Sequence, residues 1–224
     1  MPNTPATPLD YEHRLWAATP DLVLAGVDEA GRGPLVGPVA AGAVSMPPEL
    51  AEAQFAGPWA GLTDSKRLTE AARERYFEEM RATPGVRIGI GWASVQEIDS
   101  LNILRATHLA MARALAALGE PPPGFALVDG LPVKGLPCPS EAVVKGDAKC
   151  FLISAASVAA KVSRDRLLVD LDARYPGYGF AVNKGYGTAE HLEALRRLGP
   201  CPEHRRSFRP VADLLQPYHQ AELF

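Results

Sequence analysis

The sequence predicts an α/β fold: a mixed sheet flanked by helices, with a helical C-terminal portion. Three observations predict it. An apolar run, Leu22-Val23-Leu24-Ala25-Gly26-Val27, has the continuous hydrophobic character of a strand buried on both faces and stops at two carboxylates, Asp28-Glu29. Two later runs, Phe125 to Asp129 and Ala142 to Asp147, repeat that layout and also end in acid. Strands come first in the chain and then alternate with segments of helical periodicity, a succession that suits a sheet covered by helices.

The elements follow in order. Residues 22–28 and 38–45 read as strands joined by a glycine-rich loop. The second is short and small-sided, and its neighbouring prolines and glycines favour a strand over a helix. Residues 69–82 predict a helix with Thr69 as N-cap and an apolar stripe of Tyr76, Phe77 and Met80. Residues 86–93 alternate as a strand does, and residues 102–118 are helical up to the stop at Pro121-Pro122-Pro123. Residues 150–173 predict a long helix rich in alanine and serine, whose small side chains permit close packing on a sheet. A Gly- and Tyr-containing loop over 176–187 and a helix over 188–198 complete the pattern. The expected organisation is a flexible N-terminal arm over 1–20, a catalytic domain over 21–215 and a tail over 216–224.

With 224 residues, of which 47% are hydrophobic and 22% charged, the chain suits one sizeable soluble core. Its apolar runs are too short to span a bilayer, and no signal peptide is expected at its start. Three cysteines, Cys138, Cys150 and Cys201, are an odd number without metal-ligand spacing, which points to a reducing cytoplasm. The net charge of −3 conceals an uneven distribution. Between Arg174 and Pro210 stand Arg174, Lys184, Arg196, Arg197, Arg205, Arg206 and Arg209 against only Glu190, Glu193 and Glu203. Such a region suits a nucleic acid, although solvated helix faces carry similar charge.

The carboxylates carry the chemistry. Side chains at the same ends of neighbouring strands converge, so Asp28, Glu29, Asp129 and Asp147 are expected to share one site. Four converging acids repel one another and call for divalent cations. An oxygen-only ligand set favours Mg²⁺ or Mn²⁺ over zinc. Adjacent residues of a regular strand face opposite ways, so Asp28 and Glu29 can share a metal only if the strand breaks there. Gly31 and Gly33 supply a reason for a break, and they let backbone N–H groups approach a ligand.

The combined motifs resemble ribonuclease HII, the bacterial type 2 ribonuclease H. The matching stretches are Asp-Glu-Ala-Gly-Arg-Gly (28–33), Asp-Ser-Lys (64–66), Val-Asp-Gly (128–130) and Val-Lys-Gly-Asp (144–147). Ser-Ala-Ala-Ser (154–157), Ala-Lys-Val-Ser-Arg-Asp (160–165), Asn-Lys-Gly-Tyr-Gly-Thr (183–188) with His191, and His-Arg-Arg-Ser-Phe (204–208) follow in the family's order. Residues 148–151 and the proline-rich first dozen residues depart from it. The resemblance implies a ribonuclease H-like fold and hydrolysis of the RNA strand in RNA–DNA hybrids. It also implies cleavage at single ribonucleotides embedded in duplex DNA, with Asp28, Glu29, Asp129 and Asp147 as metal-binding carboxylates.

Two-metal hydrolysis suits such a site and would leave 3′-hydroxyl and 5′-phosphate ends, with Asp28 the candidate ligand shared between the ions. Specificity requires a test for the 2′-hydroxyl. Gly31, Arg32 and Gly33 are candidates to touch it through backbone groups, and Tyr186 to stack on the following sugar, a role that the resemblance supports. Lys66, Lys145, Lys161 and Lys184 are candidates for phosphate contacts, Lys145 foremost. Ser154 and Ser157 are expected to pack or cap, His191 to serve its helix as a hydrogen-bonding residue, and His204 lacks partners for a zinc site. The last five residues, Gln220 to Phe224, resemble the short clamp-binding motif of bacterial replication and repair proteins. Gln220 would fix register while Leu223 and Phe224 fill a pocket on the sliding clamp. Nothing in the chain demands a dimer, so a monomer is expected.

Three rivals are weaker. An integrase- or resolvase-like enzyme has no use for the Gly-Arg-Gly loop with a partner tyrosine. A type 3 ribonuclease H carries an added N-terminal substrate-binding domain, which an acidic motif starting at residue 28 does not lead one to expect. A binding module without catalysis would not place four acids beside phosphates.

Overall fold

The first apolar run forms strand β1 (Leu24–Ala30), buried from Leu24 to Asp28. The structure, a computed structural model, describes residues 9–215. β2 (Val39–Ser45) pairs antiparallel with β1, and β3 (Arg87–Ala93) pairs antiparallel with β2. On the other side β4 (Phe125–Asp129) and β5 (Ser140–Val143) add in parallel, giving a mixed five-stranded sheet of order β3-β2-β1-β4-β5.

Helices α1 (Asp10–Ala18), α2 (Pro48–Ala56), α3 (Glu70–Ala82), α4 (Val95–Leu101) and α5 (Ile103–Ala116) precede β4. Helices α6 (Phe151–Arg174), α7 (Phe180–Asn183), α8 (Ala189–Leu198) and α9 (Val211–Leu215) follow β5. α6 lies on one face of the sheet and α5 on the other. The approach of α6 is as close as its small side chains predict. A Cβ at Gly26 would overlap the backbone of Leu152, and one at Gly42 would overlap the carbonyl of Ala156. Phe151, Leu152, Ala155 and Ala159 fill the core on that face, and Met111 and Leu115 of α5 fill the other. A third cluster joins Leu168 and Leu171 of α6 to Phe180, Leu195 and Val211, the helical C-terminal portion.

Local chemistry sets several boundaries where the sequence places them. Thr69 caps α3, its Oγ1 accepting from Ala72 N at 3.2 Å. Thr188 caps α8, its Oγ1 accepting from His191 N at 3.3 Å. Other features differ from expectation. Residues 95–101 form a helix of their own, started by a capping box of Ser94 and Glu97. Asn102, at φ 73°, separates it from α5 and caps α5 by accepting from Arg105 N at 3.1 Å. α2 and the single-turn α7 are likewise absent from the sequence reading.

The flexible arm expected over 1–20 does not hold for residues 10–18, which form α1; residues 1–8 lie outside the described residues. The reason is tertiary. α6 has no side-chain cap of its own, and Glu12 of α1 supplies one from a distance. Its Oε1 accepts from Leu152 N at 2.9 Å and from the Cys150 thiol at 3.1 Å. Leu9 and Trp16 bury alongside it.

Candidate active site

The end of β1 builds the site. β1 and β4 run parallel in register to Val27 and Val128, so Asp28 and Asp129 fall side by side just past the last pair. The third acid arrives differently from the expectation. β5 ends at Val143, and Asp147 sits on a 3₁₀ turn (Gly146–Ala148) rather than at a strand end. The Asp129 carboxylate shapes that turn, its Oδ1 accepting from Gly146 N at 2.6 Å and Asp147 N at 3.4 Å. Lys145 takes the left-handed conformation to enter it, at φ 58°. Ser154 then holds Asp147 from α6, donating to its carbonyl at 2.8 Å.

Asp28, Asp129 and Asp147 each place a carboxylate oxygen within 4.8 Å of the others. Asp28 and Asp147 are buried. Burial, then the charges of Glu29 and Asp129, holds the Asp28 carboxyl well above the usual carboxylate range. Burial, then Asp129 and Asp64, pushes Asp147 up to about 6. Such acids gain most from a cation, and an all-oxygen cluster without histidine or cysteine fits a hard divalent ion. Lys66 is the nearby cation. Burial alone would lower its pKa, but Asp64, Asp28, Asp147 and Asp129 together raise it.

Glu29 stands apart from the triad. The strand does not break after Asp28: Glu29 still pairs with Ala41, and β1 runs to Ala30. The Glu29 carboxylate accepts from Arg32 Nη1 at 3.2 Å. Burial raises its pKa against the lowering pull of Arg32. It lines a pocket of ≈ 240 Å³ whose wall also holds Gly31, Arg32, Gly33, Lys66, Lys161 and Tyr186. A Cβ at Gly33 would stand 3.6 Å from Tyr186 Cε1, so the tyrosine ring faces the Gly-Arg-Gly loop across this pocket.

The four candidate lysines part company. Lys66 and Lys161 line the pocket, Lys161 pairing with Asp165 at 2.8 Å. The Lys184 ammonium lies 3.9 Å from Glu70. Lys145 is exposed on the turn before Asp147 and outside the pocket wall. Gln220, Leu223 and Phe224 lie outside the described residues.

Sequence reasoning missed several supports. Asp64, from within the Asp-Ser-Lys motif, helps to raise the pKa of Asp147, and Ser157, expected to pack or cap, tempers the rise at Asp28 while donating to Ser65 Oγ at 2.8 Å. Two buried arginines hold the loops. Arg164 donates to the carbonyls of Val36 at 2.9 Å, Lys184 at 3.0 Å and Pro38 at 3.3 Å. Arg205 donates to those of Gly31 at 2.6 Å, Gly37 at 2.9 Å and Arg32 at 3.0 Å. Gly31, at φ 92°, is glycine for a second reason: a Cβ there would overlap the Arg164 side chain.

The ribonuclease HII family profile matches residues 25–211, all of the sheet except Leu24 and every helix after α1 as far as the start of α9. The chain belongs to the ribonuclease HII family. Ribonuclease HII of Cereibacter sphaeroides (strain ATCC 17029 / ATH 2.4.9) is 52% identical over 217 residues, covering 96% of each chain. Among solved structures, ribonuclease H2 of Pyrococcus horikoshii OT3 superposes with a TM-score of 0.69 at 26% identity, over 86% of this chain and 97% of its own. The ribonuclease HII of a PCNA complex from Archaeoglobus fulgidus gives 0.67 at 26% identity, over 84% and 96%. As a ribonuclease HII the chain is a metal-dependent ribonuclease H endonuclease acting on RNA–DNA hybrids. No helix among the described residues is long and apolar enough to cross a membrane.

Proposed function

We propose that this ribonuclease HII also cuts 5′ of single ribonucleotides embedded in duplex DNA, by two-metal-ion hydrolysis that leaves 3′-hydroxyl and 5′-phosphate ends. The observation that carries this reading is the adjacency of two features. The triad of Asp28, Asp129 and Asp147, of which Asp28 and Asp147 are buried, stands beside a pocket walled by Gly31-Arg32-Gly33 and Tyr186. Asp28, Asp129 and Asp147 would hold the cations, Mg²⁺ or Mn²⁺; Glu29, which lines the adjoining pocket and stands outside the triad, would be a fourth carboxylate on that side. Bound there, the ions supply Lewis-acid stabilisation and an activated water at neutral pH.

The chain's own groups do the rest. Backbone groups of the Gly-Arg-Gly loop contact the 2′-hydroxyl of the ribonucleotide, which DNA lacks. Tyr186 stacks on the next sugar and fixes the scissile phosphate over the acids. Lys66, already turned toward the acids, takes a phosphate oxygen and neutralises it. Lys161 lines the same pocket. The test is cleavage of duplexes with one, several or no ribonucleotides, in Mg²⁺ and in Mn²⁺, with end-group analysis of the products. Cutting only of uninterrupted hybrid would defeat the single-ribonucleotide reading.

A second proposal concerns a partner. The tail carries Gln220, Leu223 and Phe224 in the arrangement of a clamp-binding peptide, and the Archaeoglobus fulgidus relative was solved bound to PCNA. We propose that residues 220–224 bind a bacterial sliding clamp. Titration of a labelled 216–224 peptide with the clamp, and loss of binding when Leu223 and Phe224 become alanine in the whole protein, test it. A tail without saturable binding refutes it.

A further inference from the structure

We propose that His191 and His204 are positioning residues, an ordered imidazole pair that fixes the Tyr186 loop against the Gly-Arg-Gly loop. The proposal rests on the reading of Tyr186 as the sugar-contacting residue. It starts from the segment after α8, which returns to the loop that follows β1. Val36 bridges His204, Gly37 N donates to the Glu203 carbonyl at 2.9 Å, and Arg205 N donates to the Leu35 carbonyl at 2.8 Å. From this short ladder two neighbouring side chains diverge. Arg205 reaches the carbonyls of Gly31 and Arg32. His204 reaches the other wall of the pocket through His191, the two Nε2 atoms lying 3.2 Å apart. His191 Nδ1 lies 2.7 Å from the Tyr186 carbonyl oxygen.

The protons of this chain have a single consistent order. A carbonyl oxygen only accepts, so His191 carries its proton on Nδ1 and donates to Tyr186. Neutral, it then offers a lone pair at Nε2. His204 must donate there from its own Nε2, which leaves its Nδ1 as acceptor for Cys201 N, 2.9 Å away. Each ring nitrogen then has one role, with the Cys201 thiol also standing 3.1 Å from His204 Nδ1. Both rings are buried, at 0% and 1% exposure, against Tyr178 and Phe180. Burial keeps both neutral, pushing His204 down to about 4 and His191 below its ordinary value.

The consequence is geometric. Both walls of the pocket are tied to consecutive residues of one segment, so one peptide unit sets their spacing. Hydrogen bonding to the Tyr186 carbonyl fixes the backbone of a residue that is 49% exposed and outside the hydrophobic clusters. Pre-positioning of this kind acts on turnover more than on binding.

The experiment has two arms. Imidazole ¹⁵N spectra of the intact wild-type protein at neutral pH should show His191 protonated at Nδ1 and His204 at Nε2; the opposite tautomers, or charged rings, overturn the proposal. In the second arm, cleavage of a one-ribonucleotide duplex is compared for wild type, His204→Leu, His204→Gln, Tyr186→Ala and the His204→Leu/Tyr186→Ala double variant. His204→Leu should lose roughly tenfold or more in kcat with KM changed by less than about twofold. His204→Gln, which keeps a donor toward His191, should recover most of the loss. In the Tyr186→Ala background His204→Leu should cost nothing further, because the pair acts through the tyrosine. Equal losses in both backgrounds overturn the proposal. A Tyr186→Ala enzyme with wild-type turnover overturns instead the sugar-contacting role on which it rests.

Discussion

Gly31→Ala is expected to destabilise the protein far more than glycine-to-alanine changes at other turns with positive φ. At φ 92° an alanine carries left-handed strain of about 1–2 kcal/mol. The added Cβ also overlaps Nε and Cδ of Arg164. A flexible arginine end could ordinarily swing away, but this one is 1% exposed and donates to three backbone carbonyls. A hydrogen bond from a charged donor contributes about 1.5–3 kcal/mol, so losing one of the three together with the strain gives about 3–5 kcal/mol. Gly119→Ala is the control, because Gly119 has φ 76° but no atom within 4 Å of an added Cβ. Its cost is the strain alone, about 1–2 kcal/mol. Urea titration of the metal-free protein measures both, and the thermal midpoint of Gly31→Ala should fall by about 10 °C. Equal losses at the two positions would refute the view that Arg164 is locked beneath the loop.

Asp28→Asn and Asp129→Asn should lower cleavage by orders of magnitude while leaving the metal-free melting temperature unchanged or higher, since each relieves like-charge repulsion; near-normal turnover removes that residue from the catalytic set. For Asp147 the folded pKa, about 6, lies above the unfolded value of 3.8, so the folded state binds more protons between these values. Metal-free wild type should therefore gain stability relative to Asp147→Asn as pH falls through about 6 towards about 4, measured by melts of both proteins from neutral pH down across that range. Glu12→Ala should cost about 1–2 kcal/mol by uncapping α6, read from the same melts, and an unchanged midpoint would show that α1 does not support the helix.

Much of this architecture is legible in the sequence because its signals are local. The run Leu22 to Val27 is apolar throughout, as a strand covered on both faces by α5 and α6 has to be. Thr69 and Thr188 announce their helices with their own hydroxyls. The failures are tertiary. Glu12 reads as a polar residue of an arm because its partners, Cys150 and Leu152, are distant in the chain. The run Ala142 to Asp147 reads as one strand because nothing local reveals that the Asp129 carboxylate bends it at Gly146. Arg205 reads as one charge of a basic region and Arg164 only as part of a motif, yet the partners of both are loop carbonyls that only the folded chain gathers. The acids of the site were legible as residue types at strand ends. Their division into a triad and a separate Glu29 follows from β1 staying paired through Glu29, which the glycines obscured.

The most direct measurement is cleavage of a DNA duplex containing one ribonucleotide, run beside the all-DNA duplex and an RNA–DNA hybrid, in Mg²⁺ and in Mn²⁺, with wild type and Asp28→Asn. The account predicts a single cut 5′ of the ribonucleotide with 3′-hydroxyl and 5′-phosphate ends, no cut in the all-DNA duplex, and no product from Asp28→Asn. A one-ribonucleotide duplex left intact while the hybrid is degraded, or cleavage that survives in Asp28→Asn, would contradict it.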